Sequence, residues 1–121
     1  MSKKKAYVIG TNVSKSLSPT IFNYWLSKYH IEAEYKYKEI KEESFDREIK
    51  SILEEDGLCG LNITIPYKEK IITYAKPEIR NAAHTIGAVN YIYKSGTKWI
   101  GRNSDCQGFW GAIEPFNKHI K

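Results

Sequence analysis

Leu58-Cys59-Gly60-Leu61-Asn62-Ile63-Thr64-Ile65-Pro66-Tyr67-Lys68 is the stretch whose reading decides the fold. Its first part is an apolar run of strand length, bounded upstream by Gly57 and cut off by Pro66, which has no N–H to give to a sheet. Toward its end, polar Asn62 and Thr64 alternate with Ile63 and Ile65, so small hydrogen-bonding side chains arrive at the carboxyl end of a strand. Past the proline, residues 67–72 open a short helix. A strand that ends in polar groups and hands over to a helix is the repeating unit of an α/β sheet.

Working outward, the same alternation recurs. Residues 5–11 (KAYVIGT) form a β-branched and aromatic run that stops at Gly10, a first strand. A polar loop over 12–18 leads to Ser18-Pro19, a helix start with a hydroxyl at N-cap and proline at N1. Ile21, Phe22, Trp25, Leu26 and Tyr29 then share one helical face. Residues 33–40 (AEYKYKEI) alternate as a strand. Ser44 caps a second helix whose Phe45, Ile49, Ile52 and Leu53 share a face, and Gly57 ends it. Downstream, Pro77 is expected to start a helix ending near Gly87. Residues 88–94 (AVNYIYK), the turn Ser95-Gly96 and residues 97–102 (TKWIGR) read as a β-hairpin. From Cys106 to Pro115 a last helix carries Phe109, Trp110 and Ile113 on one face.

The expected fold is therefore a three-layer α/β/α sandwich with a mostly parallel sheet and one antiparallel strand, placed at an edge. Ligands of such sheets bind beyond the carboxyl ends of the strands. Four segments there carry small polar residues: 12–18, 62–68, Asn90 and 103–105.

Bulk properties narrow the function. A chain of 121 residues suits one domain, and 41% hydrophobic with 27% charged residues is ordinary globular composition. No apolar run nears the roughly 20 residues of a spanning helix. The basic start Met1-Ser2-Lys3-Lys4-Lys5 precedes an apolar stretch too short for a signal peptide, so a cytoplasmic location is expected. Without a secretion signal the triplets Asn12-Val13-Ser14 and Asn62-Ile63-Thr64 carry little weight as glycosylation sites. Cys59, Cys106, His30, His84 and His119 show no metal-ligand spacing. Of the basic residues behind the net charge of +5, only 3–5 form a run, which argues against nucleic acid. A mildly positive field suits a small carboxylate instead.

Four motifs now stand together. Val8-Ile9-Gly10 followed by Lys15-Ser16-Leu17-Ser18-Pro19 resembles the opening of the shikimate dehydrogenase family, a strand, a glycine and a Ser-x-Ser-Pro loop. Asn62-Ile63-Thr64-Ile65-Pro66-Tyr67-Lys68 resembles its Asn-hydrophobic-Thr-hydrophobic-Pro-aromatic-Lys block, and Gly87-Ala88-Val89-Asn90 its Gly-Ala-Val-Asn. Gly101-Arg102-Asn103-Ser104-Asp105 with Gly108 is similar to its Gly-x-Asn-Thr-Asp-x-x-Gly. All four keep the family's order over residues 8 to 108. Lys15 and Phe22 depart from it where histidines are common, Ser104 replaces threonine, and Cys106 stands where glycine is usual.

Elementary chemistry supports the same residues, each beside a plainer use. Hydroxyls near a helix N-terminus, with free N–H groups and a positive dipole end, favour a carboxylate. Capping competes for Ser18, while Ser16 is redundant for a cap. The resemblance implies that both hold the shikimate carboxylate. A lysine at position 68, if buried beside a reacting alcohol, can relay its proton as hydride leaves the carbon; otherwise it is one more surface lysine. The resemblance pairs Lys68 with Asp105 as the catalytic residues, both touching substrate, whereas an Asx-turn is the structural use of Asp105. Asn62, Thr64 and Asn90 are the remaining substrate ligands it implies, with satisfied strand-end hydrogen bonds as the competing use.

The resemblance also implies NADP, held in a separate Rossmann domain. No Gly-x-Gly-x-x-Gly occurs, and Gly108 and Gly111 fall in the amphipathic last helix, so residues 1–121 are expected to be the substrate-binding domain alone. The implied partner is a small molecule, shikimate or 3-dehydroshikimate, with no nucleic acid and no membrane. Phe109, Trp110 and Ile113, if uncovered, favour a homodimer. The expected function is the substrate-binding part of an NADP-dependent shikimate dehydrogenase of aromatic amino-acid biosynthesis, with little turnover of its own. A stand-alone shikimate sensor or interaction module that has lost catalysis is the alternative.

Overall fold

A computed structural model describes residues 3–80 and 83–104, and only the backbone of 84 and 85. Strand β1 (Lys4–Gly10) lies between β2 (Ala33–Glu39) and β3 (Leu58–Ile63) and runs parallel to both. The sheet continues through β5 (Tyr91–Ser95) and β6 (Lys98–Arg102) to β4 (Glu78–Ile79), in the order β2-β1-β3-β5-β6-β4. Helix α1 (Ser18–Lys28) packs on one face, and α2 (Phe45–Leu53) and α3 (Lys70–Ala75) on the other, giving three layers. A short α4 (Ala83–Ile86) precedes β5.

Two expectations need correction. The antiparallel strand is β5, and it lies inside the sheet between β3 and β6. Its tight turn at Gly96, with φ of 65°, reverses the chain, so β6 resumes the common direction and pairs β4 in parallel on its far side. Nor does Pro77 start a helix. Lys76 in the left-handed region ends α3, and the next residues extend as β4, with the Arg80 N–H donating to Gly101 O at 2.9 Å. Pairing to β6 overrides the helix-start preference of proline, and the helix forms only at α4.

The main core fills the α2/α3 side. Ile9, Leu61, Ile63 and Ile92 from the sheet meet Phe45, Ile49, Tyr67 and Ile71, all at 3% exposure or less. Burying each large side chain contributes about 1.5–3 kcal/mol, so this side carries most of the stability. Ser44 stands at the N-cap of α2, but its hydroxyl donates to Glu48 Oε2 at 2.5 Å and makes no cap bond. The α1 side is thinner. Phe22 and Leu26 pack on Val8, Val13 and Tyr35, whereas Ile21, Trp25 and Tyr29 of the expected apolar face are exposed. Helix α1 leans on the sheet along a narrower stripe than its sequence allows, resting mainly on β2 and β1. Asn23 fixes that contact: its Nδ2 donates to Tyr35 O at 2.7 Å and its Oδ1 accepts from Tyr35 N–H at 2.9 Å.

Candidate functional site

The carboxyl ends of β1 and β3 and the start of β5 meet at one edge of the sheet. Thr64 N–H donates to Ile9 O at 3.0 Å, Ile63 N–H to Asn90 O at 2.8 Å, and Asn90 N–H to Arg102 O at 3.0 Å. Gly10 is the close approach that permits this. A Cβ there would lie 2.5 Å from Thr64 Cγ2 and 2.9 Å from Val13 Cγ1.

The paired serines exchange the roles expected of them. Ser18 is the first residue of α1, Leu17 occupies the N-cap position, and no side chain of the cap residue closes it. The Ser16 hydroxyl, 3.2 Å away, accepts the Ser18 N–H instead. A hydroxyl two residues before the helix reaches back over its first turn more easily than one already turned along the helix. Ser16 thus orders the helix entry, and its own proton stays available to a ligand.

Asn62 is held by a residue that sequence reasoning missed. The Tyr35 hydroxyl donates to Asn62 Oδ1 at 3.0 Å. Tyr35 is 5% exposed. Burial pushes its phenol up to about 12, partly offset by a hydrogen bond with the Ser18 side chain. Alternation in residues 33–40 puts Tyr35 and Tyr37 on one face, but only α1 lying over the first and not the second makes Tyr35 part of the site.

Lys68 is placed from both sides. The Ile65–Pro66 peptide is cis. The next residue, Tyr67, is fully buried, stacks on Phe45 with centroids 4.0 Å apart, and its hydroxyl donates to Ile40 O. Lys68 O then accepts Val89 N–H at 2.9 Å, tying the two motif segments together. Helix α3 begins at Lys70, so Lys68 precedes it and does not sit in its first turn. Asn90 clasps the segment after β6: Nδ2 donates to Ser104 Oγ at 2.7 Å and Oδ1 accepts Ser104 N–H at 2.8 Å. Buried Asn103 donates from Nδ2 to Ala88 O at 3.1 Å.

Ser16, Ser18, Asn62, Thr64, Lys68 and Asn90 line a single cleft of 350 Å³, joined by Asn12, which the sequence placed in the polar 12–18 loop without singling it out as a ligand. All six are half-buried. Asp105 lies outside the described residues, as do the expected last helix and its Phe109, Trp110 and Ile113. A wall of hydroxyls, carboxamides and one amine can hold a small oxygen-rich molecule, and the amine favours an anion. A larger apolar groove of 430 Å³ shares Asn62 but runs between Trp25, Tyr29, Tyr91 and Tyr93, with little to orient a polar ligand.

Among the described residues, no three His, Cys, Asp or Glu side chains could hold a metal, and no helix is long and apolar enough to cross a membrane. Nor do they fit a dinucleotide. The turn from β1 to α1 offers Gly10 alone, the space a pyrophosphate needs beside it is filled by Thr64 and Val13, and the Ser18 N–H is taken by Ser16.

A family model described as the shikimate dehydrogenase substrate binding domain matches residues 8–92. The NADP(+) shikimate dehydrogenase of Bartonella henselae is 39% identical over 110 residues, which cover 91% of this chain and 37% of that protein. A crystal structure of shikimate dehydrogenase 1 from Peptoclostridium difficile superposes with a TM-score of 0.79 at 32% identity, covering 94% of this chain and 42% of the other. The Thermus thermophilus shikimate 5-dehydrogenase, solved in complex with shikimate, gives 0.77 at 27% identity, covering 93% and 42%. The chain thus spans about two-fifths of the length of these proteins.

Proposed function

The chain belongs to the shikimate dehydrogenase family through its substrate-binding domain, and on that premise we propose that its cleft binds shikimate or 3-dehydroshikimate. The observation that carries this reading is the convergence of six side chains from three separate motifs on one polar cleft. The carboxylate goes to the Ser16 and Ser18 end, where Ser16 has a hydroxyl proton to donate. Ring hydroxyls fall to Asn62, Thr64 and Asn90. Lys68, its backbone fixed through Val89, takes up or returns the proton of the reacting hydroxyl, with Asp105 as its proposed partner.

The relatives from Bartonella henselae and Pelagibacter ubique are NADP(+) shikimate dehydrogenases. NADP, when bound, would accept the hydride, but the described residues offer it no cradle, so no hydride step is assigned to them. What this chain contributes is binding, orientation and proton movement. Calorimetric titration of shikimate tests the reading. Saturable binding by the parent, weakened in both Ser16→Ala and Lys68→Ala, is expected. Absence of binding by the parent overturns it and favours an interaction module. A second assay follows NADPH formation with shikimate and NADP on the 121-residue chain, and little or no turnover is expected.

A further inference from the structure

Tyr35 lines the neighbouring apolar groove and reaches the cleft residue Asn62 with its hydroxyl, and three elements fix where that hydroxyl sits. Its backbone is clasped by Asn23 of α1 at 2.7 and 2.9 Å, its ring stacks on Phe22 with centroids 4.7 Å apart, and its side chain crosses from β2 to β3. A phenol has one proton, and here it goes to Asn62 Oδ1 at 3.0 Å. A free asparagine can present either its oxygen or its NH₂ to a ligand. One whose oxygen is turned to a fixed phenol presents Nδ2, a donor, on its other side.

We propose that Tyr35 is a positioning residue for the cleft: its hydroxyl orients the Asn62 carboxamide so that Nδ2 donates to an oxygen acceptor on the ligand. The proposal rests on the substrate reading above and deepens it, because it sets the polarity of one subsite. A hydroxyl or ketone oxygen fits opposite Asn62, and a ligand offering only an N–H there is rejected by an unpaired donor.

Tyr35→Phe keeps the ring and removes only the donor. Two measurements on the full chain then separate orientation from mere stability. The first is ¹⁵N relaxation of the Asn62 side-chain NH₂ without ligand, where Tyr35→Phe is expected to loosen a rigid amide. If the amide stays as ordered as in the parent, the proposal falls. The second is a double-mutant cycle on shikimate affinity. Tyr35→Phe is expected to weaken binding about tenfold, the worth of one hydrogen bond, yet less than about twofold in an Asn62→Ala background, where nothing is left to orient. An equal loss in both backgrounds overturns the proposal. If the parent does not bind shikimate but its Asn62 amide still loosens in Tyr35→Phe, the substrate reading falls and the positioning role stands.

Discussion

Gly10→Ala is the sharpest test of how the sheet edge is built. The added methyl would sit 2.5 Å from Thr64 Cγ2, whereas ordinary contact begins at 3.4 Å, so the two must part by about 0.9 Å. Thr64 cannot swing away cheaply. It is β-branched, its N–H is bonded to Ile9 O at 3.0 Å, and its carbonyl accepts Tyr67 N–H at 3.1 Å. On the other side, Val13 Cγ1 at 2.9 Å belongs to a side chain 2% exposed. Overpacking of this kind costs about 1–3 kcal/mol. Urea unfolding followed by tryptophan fluorescence should show a lower midpoint at unchanged slope. Thr64→Ser removes the nearest clashing methyl and keeps the hydroxyl, so Gly10→Ala/Thr64→Ser should recover about half of the loss, the Val13 contact remaining. Shikimate affinity should fall about tenfold in Gly10→Ala, because the strain displaces a cleft residue. A Gly10→Ala protein as stable as its parent, or a Thr64→Ser change that adds to the loss, would refute the reasoning.

Other expectations follow from the same geometry. Ser16→Ala removes the hydroxyl that accepts the Ser18 N–H at the helix entry and should cost about 1 kcal/mol in thermal unfolding. Ser18→Ala should cost the helix less, the reverse of what Ser-Pro spacing suggests. Asn90→Ala leaves the Ser104 N–H and hydroxyl without their partner, and should lower stability by about 1 kcal/mol and raise amide exchange at Ser104. Away from the site, Glu55 accepts from Tyr7 at 2.6 Å and pairs with Lys5 at 2.9 Å. Burial raises its carboxyl, but these bonds and the nearby lysines outweigh burial and hold it below 4.5. A depressed carboxylate stabilises the fold above its unfolded value and loses that effect as pH falls through its folded one. The stability gap between parent and Glu55→Gln should therefore be full at neutral pH and close below about pH 4.5, and a gap unchanged at pH 3 would contradict the assignment.

Strands and their order along the chain were readable because period and punctuation are local. The run before Pro66 had the length of a strand, the tyrosine-rich alternation of residues 33–40 marked another, and Ser95-Gly96 marked the hairpin turn. Motif residues were readable too, since strand ends in an α/β sheet gather at one edge whatever the details. Six of them do share a cleft, and Asp105 lies outside the described residues. Lateral order was not readable. Nothing in the hairpin says that β6 will find β4 on its far side, so the antiparallel strand was expected at an edge, and Pro77 was read as a helix start when sheet pairing had the stronger claim.

Polar side chains show the same division at smaller scale. Residue type and spacing determined that hydroxyls, carboxamides and an amine would meet at the carboxyl ends of the strands. Tertiary structure alone decided which partner each one took: Ser16 and not Ser18 at the helix entry, Tyr35 beneath Asn62, Ser104 in the grip of Asn90. Hydrogen bonds are short-ranged and directional, so their pairing depends on sub-ångström placement of elements far apart in the chain, whereas burial and periodicity are averages that a linear sequence already contains.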